Sequence, residues 1–405
     1  MSLFKRNISK AIQRALERGK SVLLMGPRQT GKSTLAGLMK PDLEISFAVP
    51  SNRLHYEQNL DALQFEAEAL AKDIGKMPLI AIDEVQKIPI LLDLIQHLID
   101  KKVAQFILTG SSARKMRETK ANWLPGRVIL FYLDPLMLSE MQEETPELET
   151  LLAFGSLPEV VTTNDDDDSW ELLNTYVATY VQDEIRSEAL VRDVGDFVRF
   201  LPIAATESGK LVNYNQLAQE VGVSRHTLSS YYQILEDCLI VDKVEPFTKS
   251  KKRNRLVKAP KYLFFDLGVK NAAAKEYVKH SSSEHKGQLL EQFVGIELLR
   301  IIREKSWMAT LYYWRDNDGP EVDWVVKLDK KLIPVEVKWK DMPRDKDMRH
   351  LKTFLNEYDE ADIGYVICRC QRPMKMAENI IALPWQQLGR VITDNINQLN
   401  IPEKE

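Results

Sequence analysis

One stretch of the sequence decides the fold of its first part: Ser21-Val-Leu-Leu-Met-Gly-Pro-Arg-Gln-Thr-Gly-Lys-Ser-Thr34. The apolar run from Val22 to Met25 predicts a buried strand, and a run compatible with a helix comes after the second glycine. Between them lies Gly-x-x-x-x-Gly-Lys-Ser, the spacing of a phosphate-binding loop in its required strand–loop–helix context. A chance glycine turn is the alternative, but the strand, the spacing, the lysine and the serine together argue against it.

The residues of this loop predict a site for ATP and Mg²⁺. Glycines at 26 and 31 let successive backbone N–H groups point at phosphate oxygens, and the following helix adds a partial positive charge. We expect Lys32 to reach the β- and γ-phosphates and the Ser33 hydroxyl to bind Mg²⁺. The predicted nucleotide contacts of the loop are Gly26, Pro27, Arg28, Gln29, Thr30, Gly31, Lys32, Ser33 and Thr34.

A second apolar run, Met77-Pro-Leu-Ile-Ala-Ile-Asp-Glu84, supplies the acids that such a site needs. We expect Asp83 to hold Mg²⁺ through its water shell and Glu84 to orient or deprotonate the attacking water. A third apolar run ends at Thr109, shortly before Ser111. These two hydroxyls are predicted to sense the γ-phosphate, and a simple turn from strand to loop is the alternative.

Strands alternating with helical segments predict a doubly wound α/β core, in which ligands lie beyond the carboxyl ends of parallel strands. The glycine loop, Asp83 and Ser111 all come directly after such strands. Arg114 and Arg127 are candidates for a positive charge that completes the phosphate site, from the same chain or from a neighbouring subunit. A solvated or structural arginine is the alternative for each.

The composition sets outer bounds on the protein. Its 405 residues suit two to four domains, and 44% hydrophobic with 28% charged residues is ordinary for a globular chain. A net charge of −4 does not by itself indicate nucleic acid, so such binding must come from local basic patches. No stretch approaches the ~18 apolar residues of a membrane span, and no apolar signal core comes after the basic N-terminus. We therefore expect a cytoplasmic protein with no membrane partner and with reduced thiols at its three cysteines.

The middle of the chain predicts a pair of helices that binds DNA. An acidic run at 164–169 predicts a solvated loop and a boundary, with a helical segment after it. A helix near 214–221 then ends at Gly222, and Ser224 is a good N-cap for a second helix, which is typical of a helix-turn-helix. Arg225, His226 and Ser229 are expected on the outer face of the second helix, near the end that meets bases.

A basic loop comes after the helix pair. Two predicted strands, near 239–244 and 262–265, flank a loop that is rich in lysine and arginine and has no acid between Lys249 and Lys261. A winged helix with a basic wing accounts for this pattern, because DNA phosphates are neutralised by such clusters. The predicted DNA contacts in the loop are Lys251, Lys252, Arg253 and Arg255. A solvated loop on a domain that docks a protein is the alternative.

The last part of the chain predicts a cluster of carboxylates. Its elements are expected in the order helix (287–303), three strands (310–314, 321–326, 332–339), helix (345–358) and strand (363–368). The spacing of Asp323 and Glu336 suits a hairpin that lays the two carboxylates side by side, with Lys338 on the face of Glu336. Glu291 on the leading helix is a third candidate ligand for Mg²⁺ or Mn²⁺, and Lys338 would help to activate water. A structural cluster of ion pairs is the alternative.

Several short motifs together resemble a large prokaryotic family of AAA-type ATPases. They are Gly-Pro-Arg-Gln-Thr-Gly-Lys-Ser (26–33), Ile-Asp-Glu-Val-Gln (82–86), Leu-Thr-Gly-Ser-Ser (108–112), Gly-Arg (126–127), Gly-Ser-Leu-Pro-Glu (155–159), Leu-Val-Lys-Ala-Pro-Lys-Tyr-Leu-Phe-Phe-Asp (256–266), and Glu-Val-Asp with Pro-Val-Glu-Val-Lys (321–338). The resemblance implies an ATPase core, a winged helix and a C-terminal domain similar to restriction-endonuclease-like nucleases. Ser156 stands where the family usually has glycine, a departure that should not affect nucleotide chemistry.

These patterns divide the chain into an ATPase core (1–145), a helical lid or linker (146–210), a winged helix (211–280) and a nuclease-like α/β domain (281–405). The leading functional prediction is an Mg²⁺-dependent ATPase that acts on DNA in repair, recombination or defence. AAA relatives further suggest assembly into a ring or another oligomer. The alternatives are a nucleotide-operated switch that binds a protein partner and carries an inert nuclease-like domain, and an ATP-regulated DNA nuclease.

Overall fold

The computed structural model describes residues 4–111, 124, 126–181, 194–250, 253, 255–279, 281–305, 309–317 and 319–398 of the chain. Its first part contains a parallel sheet built from β1 (Ser21–Met25), β2 (Leu43–Ser46), β3 (Leu79–Asp83), β4 (Gln105–Gly110) and β5 (Val128–Tyr132). The order across this sheet is β2-β3-β4-β1-β5. The strand that leads into the glycine loop is therefore enclosed between two others.

Helices cover both faces of this sheet. They are α1 (Ser9–Glu17), α2 (Lys32–Leu38), α3 (Pro50–Gln58), α4 (Ala62–Ile74) and α5 (Leu91–Asp100). Alternate residues of β1 enter different cores: Leu23 and Met25 pack on the side of α4 and α5, whereas Val22 and Leu24 pack with Ile12 of α1. A strand that is buried on both faces requires such a continuous apolar run. The predicted doubly wound α/β core is confirmed.

Helices dominate the segment after β5. They are α6 (Leu138–Met141), α7 (Leu148–Phe154), α8 (Pro158–Val161), α9 (Asp166–Tyr176), α10 (Val194–Thr206), α11 (Tyr214–Val221) and α12 (Arg225–Asp237), with a π-helical turn at Val177–Val181. The acidic run, predicted as a loop, instead begins α9. Asp165 caps this helix by accepting hydrogen bonds from the N–H groups of Asp167 (2.8 Å) and Asp168 (3.1 Å). Carboxylates are favourable at this end of a helix dipole, which explains the difference.

A second, mixed sheet joins the middle of the chain to its C-terminal part. Its strands are β6 (Val241–Pro246), β7 (Lys261–Phe264), β8 (Ala309–Arg315), β9 (Glu321–Leu328), β10 (Lys331–Val337), β11 (Gly364–Cys368), β12 (Met374–Ala377) and β13 (Ile380–Pro384), in the order β12-β13-β11-β10-β9-β8-β6-β7. The β6–β7 hairpin is antiparallel, and β6 continues alongside β8, where Glu245 lies opposite Tyr312. The hairpin predicted as part of a winged helix is thus also the edge of the C-terminal sheet.

The remaining helices pack on this second sheet. They are α13 (Leu267–Ala274), α14 (Ser283–Lys305), α15 (Arg349–Glu357) and α16 (Arg390–Gln398). One hydrophobic core runs through the whole region and includes Leu136, Phe200, Leu235, Leu263 and Val335. The predicted borders near 210 and 280 therefore do not separate independent cores.

Among the described residues, no helix combines the length and the apolar character that crossing a membrane requires.

Candidate functional site

The glycine loop joins β1 to α2, as the sequence predicts. Gly26 has a φ of +159°, and a Cβ atom there would lie 2.2 Å from the carbonyl oxygen of Leu133. Gly31 has a φ of +93° and is the N-cap of α2. Both positions exclude ordinary side chains, one by contact and the other by backbone conformation, so the path of the loop requires these two glycines.

Lys32 begins α2 with its ammonium group against the loop. Its Nζ donates hydrogen bonds to the carbonyl oxygens of Gly26 (3.0 Å) and Pro27 (2.7 Å), and the residue is only 5% exposed. A buried ammonium needs acceptors, and the loop carbonyls supply them. The charge is therefore held at the loop, where its predicted role with phosphates requires it.

The carboxylate of Asp83 lies where three strand ends meet. Its Oδ1 accepts hydrogen bonds from Ser33 Oγ (2.7 Å) and Thr109 Oγ1 (2.5 Å), and its Oδ2 accepts one from Ser46 Oγ (3.1 Å). The structure thus brings together the two predicted Mg²⁺ ligands, Ser33 and Asp83. Thr109, predicted to sense the γ-phosphate, donates to Asp83 in the structure, and its sensing role stays a prediction.

Glu84 comes directly after β3, with its backbone in the left-handed region at a φ of +58°. Its Oε2 accepts hydrogen bonds from Gln86 Nε2 (2.6 Å) and from Ser111 Oγ (3.2 Å). Gln86 Nε2 also donates to Ser111 Oγ (3.1 Å) and the glutamine is buried. Left-handed residues other than glycine are strained and cluster at functional sites. We did not predict a role for Gln86 from the sequence, although the residue belongs to the Ile-Asp-Glu-Val-Gln motif (82–86).

Arg6 ties the N-terminal segment to the glycine loop, and no pattern in the sequence indicates this contact. Its guanidinium donates to the carbonyl oxygens of Thr30 (2.7 Å) and Asp134 (2.6 Å), and its Nε lies 3.0 Å from Glu140 Oε2. Arg6 and Glu140 are both buried, and a buried charge is tolerated when it is paired in this way. The ion pair fixes the loop against the segment after β5.

A cavity of about 130 Å³ opens beside the start of α2. Its walls are mostly apolar and come from the N-terminal segment, the loop, α2 and the region of α8: Phe4, Arg6, Thr30, Gly31, Thr34, Leu35, Leu38, Leu136, Pro158 and Thr162. Apolar walls with a few polar groups are typical of sites for small ligands. Thr34, a predicted nucleotide contact, lines this cavity together with Thr30 and Gly31 of the loop.

Of the two arginines predicted to complete the phosphate site, the structure describes Arg127. Arg127 directly precedes β5, and its guanidinium forms two hydrogen bonds with the carboxylate of Asp100 (2.7 and 3.0 Å). Because all strands of this sheet are parallel, the start of β5 lies at the edge opposite the glycine loop. Arg127 therefore cannot reach that loop, and a role at a neighbouring subunit stays a prediction. Arg114 lies outside the described residues.

The two helices predicted to form a helix-turn-helix are present with the expected caps. Asn213 Oδ1 caps α11, which ends at Gly222 with a φ of +83°, and Ser224 Oγ accepts from Thr227 N–H (3.0 Å) to cap α12. Arg225, His226 and Ser229 are exposed on α12, whereas Leu228, Tyr231, Tyr232 and Leu235 are buried. A groove of about 490 Å³ runs from Arg225 to Lys258.

Arg253, in the basic loop between β6 and β7, is bound to acids of the C-terminal part. Arg253 binds the carboxylate of Glu357 through Nε (2.8 and 3.1 Å) and Nη2 (2.5 Å), and donates to Asp316 Oδ2 (2.7 Å). The guanidinium also lies 5.2 Å from the ring centroid of Trp314. The predicted DNA contact by Arg253 is therefore corrected: its charge is neutralised by two acids of the C-terminal part. Arg255 is exposed, and Lys251 and Lys252 lie outside the described residues.

In the C-terminal sheet, Asp323 and Glu336 lie on neighbouring strands. Val335 pairs with Trp324, so Glu336 and Asp323 are the next positions in register. Asp323 Oδ2 accepts a hydrogen bond from the N–H of Val337 (2.7 Å), and Lys338 Nζ donates to Glu336 Oε1 (2.6 Å). Glu336 is 4% exposed, and its Oε2 has no hydrogen-bond partner within the described part of the chain. The structure thus places the two carboxylates and the lysine together.

Glu291, the third predicted ligand, is held by a lysine. Lys261 Nζ donates to Glu291 Oε1 (2.8 Å) and lies 4.9 Å from the ring centroid of Trp324 and 5.3 Å from that of Tyr313. Across the described part of the chain, no three His, Cys, Asp or Glu side chains are grouped to hold a metal ion. The described residues therefore do not form the predicted three-carboxylate metal site, because Lys261 holds Glu291, and a metal ion at Asp323 and Glu336 stays a prediction.

The charges in this cluster act on one another. Burial raises the pKa of Glu336, and the negative charge of Asp323 adds to the effect and holds this pKa well above its usual range. Burial also raises the pKa of Asp323 and of Glu291, and Lys338 and Lys261 offset part of the rise. For Lys338, burial favours the neutral amine, but Asp323 and Glu336 outweigh it and raise the lysine's pKa. The cluster therefore attracts protons or other cations.

A cavity of about 390 Å³ opens beside this cluster, between the hairpin, α14 and the strands β8 and β9. Its charged walls include Lys210, Lys261, Lys270, Glu291, Arg315 and Asp323. A cavity of this size admits a ligand as large as a nucleotide. The carboxylate of Asp323 is therefore accessible from a space that the sequence did not reveal.

Three stretches of the chain match known family models. Residues 18–142 match an AAA domain, residues 145–278 match a domain of unknown function (DUF8612), and residues 286–388 match another domain of unknown function (DUF4143). Uncharacterized proteins of Mycobacterium bovis and Mycobacterium tuberculosis are each 26% identical over 98% of this chain and 87% of their own length. An uncharacterized protein of Methanocaldococcus jannaschii is 23% identical over 95% of this chain and 87% of its own.

Solved structures show more distant likenesses. The Aeropyrum pernix ORC1 protein in complex with DNA is 14% identical with a TM-score of 0.30, covering 68% of this chain and 94% of that chain. A signal transduction ATPase with numerous domains from Pyrococcus horikoshii is 14% identical with a TM-score of 0.29, covering 75% of this chain and 47% of that chain. Likenesses this distant do not bear on the function of the chain.

Proposed function

This chain carries an AAA-type ATPase domain at residues 18–142, and we propose that it hydrolyses ATP there and couples the reaction to DNA. The observation that supports hydrolysis best is the hydrogen bond of 2.7 Å between Ser33 Oγ and Asp83 Oδ1, next to Lys32 at the start of α2. It joins the start of α2 to the end of β3, so hydroxyl, carboxylate and ammonium groups are gathered at one end of the sheet.

Each group has a role in this proposal. Backbone N–H groups between Gly26 and Lys32 bind the phosphate oxygens, and the Lys32 ammonium moves from the loop carbonyls to the β- and γ-phosphates. Glu84 accepts a proton from the water that attacks the γ-phosphorus, the bond to the β-phosphate oxygen breaks, and ADP and phosphate leave. Ser33 and Asp83 are oxygen donors that fit Mg²⁺, which would neutralise charge on the phosphates. The adenine base of ATP would lie in the cavity between Phe4 and Pro158.

Two substitutions separate binding from chemistry. Lys32→Ala should abolish ATP binding, because the structure offers no other ammonium at the loop among the described residues. Glu84→Gln should bind ATP normally and hydrolyse it about a hundredfold more slowly, since a general base contributes roughly 10²- to 10⁴-fold. Equilibrium binding of a fluorescent ATP analogue and phosphate release measure the two effects. Unchanged turnover in both variants would contradict the proposal.

Engagement of DNA is supported by the exposed face of α12. Arg225, His226 and Ser229 point to solvent near the start of this helix, and Lys258 lies across the adjoining groove. Cations at such positions neutralise phosphates and read base edges. Because Arg253 is bound to acids, the contact surface is proposed at α12 and Lys258 rather than at the centre of the basic loop.

The test compares Arg225→Ala with Lys258→Ala and Arg253→Ala. The first two should weaken DNA binding and each reduce its salt dependence by about one phosphate contact, or roughly 0.9 in the logarithmic slope. Arg253→Ala should lower the melting temperature but leave that slope unchanged. If Arg225→Ala and Lys258→Ala bind DNA like the parent, this surface is not the DNA contact, and the competing function, docking of a protein partner, is favoured for it.

A second candidate function is hydrolysis of phosphodiesters at the C-terminal carboxylates. The specific observation that favours it is Glu336 Oε2, which is buried beside Asp323 without a hydrogen-bond partner from any described residue. Hard, unsatisfied carboxylate oxygens fit Mg²⁺ or Mn²⁺, which proteins often hold through one or two carboxylates, and such an ion would polarise a phosphate. Lys338 would stabilise the added negative charge, and the cavity beside Asp323 leaves room for a phosphate and water.

Incubation of the full chain with plasmid DNA and Mn²⁺ tests this second function. The parent should convert supercoiled plasmid to open or linear forms, and the Asp323→Ala, Glu336→Ala double variant should not. Equal conversion by both proteins would reveal a contaminating nuclease, and no conversion by either would indicate an inert domain.

A further inference from the structure

Lys261 comes from the middle region of the chain but lies in the C-terminal cluster, and neither candidate function uses it. It is the first residue of β7, so the hairpin of the middle region supplies it. Its ammonium nevertheless lies in the C-terminal cluster, 2.8 Å from Glu291 Oε1 and above the ring of Trp324, with the residue only 9% exposed. A lysine with its stem and charge this well enclosed is not a general surface cation.

The charge balance around Lys261 shows what it does. The cluster contains the carboxylates Glu291, Glu321, Asp323 and Glu336 and the ammonium groups Lys261 and Lys338. Lys338 acts on Glu291, Asp323 and Glu336, and Glu321 acts on Asp323 and Glu336. Lys338 is bound to Glu336 on the adjoining strand. Lys261 is the cation that comes from outside the C-terminal part, and it acts on both Glu291 and Asp323.

We propose that Lys261 is an internal counter-ion that competes with divalent cations for the pair of carboxylates Asp323 and Glu336. This inference rests on the second candidate function above. With the ammonium at Glu291, its positive charge repels a cation near Asp323; when the ammonium moves into the adjoining cavity, the pair binds the cation. The cavity of about 390 Å³, lined by Lys261 itself, gives the side chain that space. The middle region thereby controls occupancy of a site that lies in the C-terminal sheet.

Geometry supports competition over a purely structural role. Glu336 Oε2 is buried and lacks a partner among the described residues, so the carboxylate pair still has an oxygen available for a cation. Lys261 makes a hydrogen bond to one carboxylate and otherwise contacts aromatic rings, which hold a cation less tightly than a second carboxylate would. The ammonium is therefore held firmly enough to occupy the cluster and weakly enough to be displaced.

The test measures Mn²⁺ binding to the full chain without nucleotide, by the electron paramagnetic resonance signal of free Mn²⁺. Lys261→Met removes the charge and keeps much of the stem, so Mn²⁺ affinity should rise by about tenfold, the effect of one nearby charge at intermediate dielectric. Lys330→Met, at an exposed lysine in the turn between β9 and β10, is the matched control and should match the parent.

An Asp323→Asn, Glu336→Gln double variant defines binding elsewhere in the chain, including the glycine loop. If parent and Lys261→Met bind Mn²⁺ equally, and both more tightly than this double variant, the cation site exists and the role of Lys261 is wrong. If neither binds more tightly than the double variant, the cation site and the inference both fail. Cooperative thermal unfolding shows that the variants are folded, and Lys261→Gln, which also lacks the charge, repeats the test if Lys261→Met does not fold.

Discussion

The backbone of Glu84 lies in the left-handed region, and two polar neighbours hold its carboxylate. Gln86 is the closer of the two, at 2.6 Å, and is itself buried. A group that orients a catalytic side chain without touching substrate commonly contributes roughly 10- to 100-fold to activity. Gln86 is therefore a positioning residue in the proposed ATPase.

Gln86→Ala should lower kcat about tenfold and leave the affinity for ATP within about twofold, because Glu84 loses its orientation while the phosphate loop is intact. Steady-state phosphate release and equilibrium ATP binding give the two values. Gln13→Ala, at an exposed glutamine of α1, is the control. A normal kcat in Gln86→Ala would show that Ser111 alone orients Glu84.

Gly26 and Gly19 give a matched pair for testing the path of the loop. Both have positive φ angles, but a Cβ at Gly26 would lie 2.2 Å from Leu133 O, whereas no heavy atom of the described residues lies within 4 Å of one at Gly19. Gly19→Ala should cost about 1–2 kcal/mol of stability from backbone strain alone. Gly26→Ala should cost more and should also abolish ATP binding, because the loop must move away from Leu133. Urea unfolding measures the loss of stability, and equilibrium binding measures the affinity for ATP. Equal results for the two variants would contradict the close approach of position 26 to Leu133.

At the scale of elements, α14 connects the first part of the chain to the second sheet. Glu297 Oε1 accepts a hydrogen bond from the N–H of Leu138 (2.9 Å) and the residue is 2% exposed. Burial, only partly offset by Arg300, raises the pKa of Glu297 to about 7. The carboxyl of the folded chain therefore holds its proton to a higher pH than that of the unfolded chain.

Stability should consequently fall as pH rises from about 4.5 to about 7, since the folded state binds more protons than the unfolded state in that window. Glu297→Gln keeps an acceptor for Leu138 and cannot titrate, so it should lose this dependence and become more stable than the parent above pH 7. The expected difference between the two ends of the window is about 3 kcal/mol. Urea unfolding at about pH 4.5, 6 and 7.5 measures it; parallel curves for the two proteins would refute the assignment.

The sequence predicts elements well where local pattern and burial agree. The apolar run of β1, the caps at Asn213 and Ser224, and the strands around Asp323 and Glu336 are all formed, because each depends on neighbouring residues. Arg253 shows the limit. Its cluster of basic neighbours predicts DNA, but its partners lie directly after β8 and on α15, far away in sequence. Charge density is visible in a sequence, whereas the partner of a charge is not.

At the scale of the whole molecule, Arg303 on α14 joins three regions. Its Nη1 donates to Asp134 Oδ1 (2.7 Å) after β5, and its Nη2 donates to Asp242 on β6. Asp134 also presents its carbonyl oxygen to Arg6, whose other hydrogen bond reaches Thr30 in the glycine loop. Polar contacts therefore connect the glycine loop to the β6–β7 hairpin, which comes after α12.

Arg303→Ala should uncouple these regions. Basal ATP turnover should stay within about twofold, because the hydrogen bonds of Arg303 go to Asp134 and Asp242 rather than to the proposed catalytic groups, whereas any change of turnover caused by DNA should be lost with the link. Turnover with and without duplex DNA measures both, and Arg390→Ala, at an exposed ion pair of α16, is the control. A parent-like response to DNA in Arg303→Ala would place the coupling elsewhere.

The pairing of β6 with β8 also has a consequence for synthesis of the chain. The β6–β7 hairpin and the helix pair leave the ribosome before β8 exists, although Glu245 and Pro246 of β6 pair with β8 in the finished protein. Until translation passes Arg315, this edge has unpaired backbone groups, which invite pairing with other chains. A chain that stops before β8 should therefore aggregate, and the folding of the middle region depends on completion of the C-terminal strands.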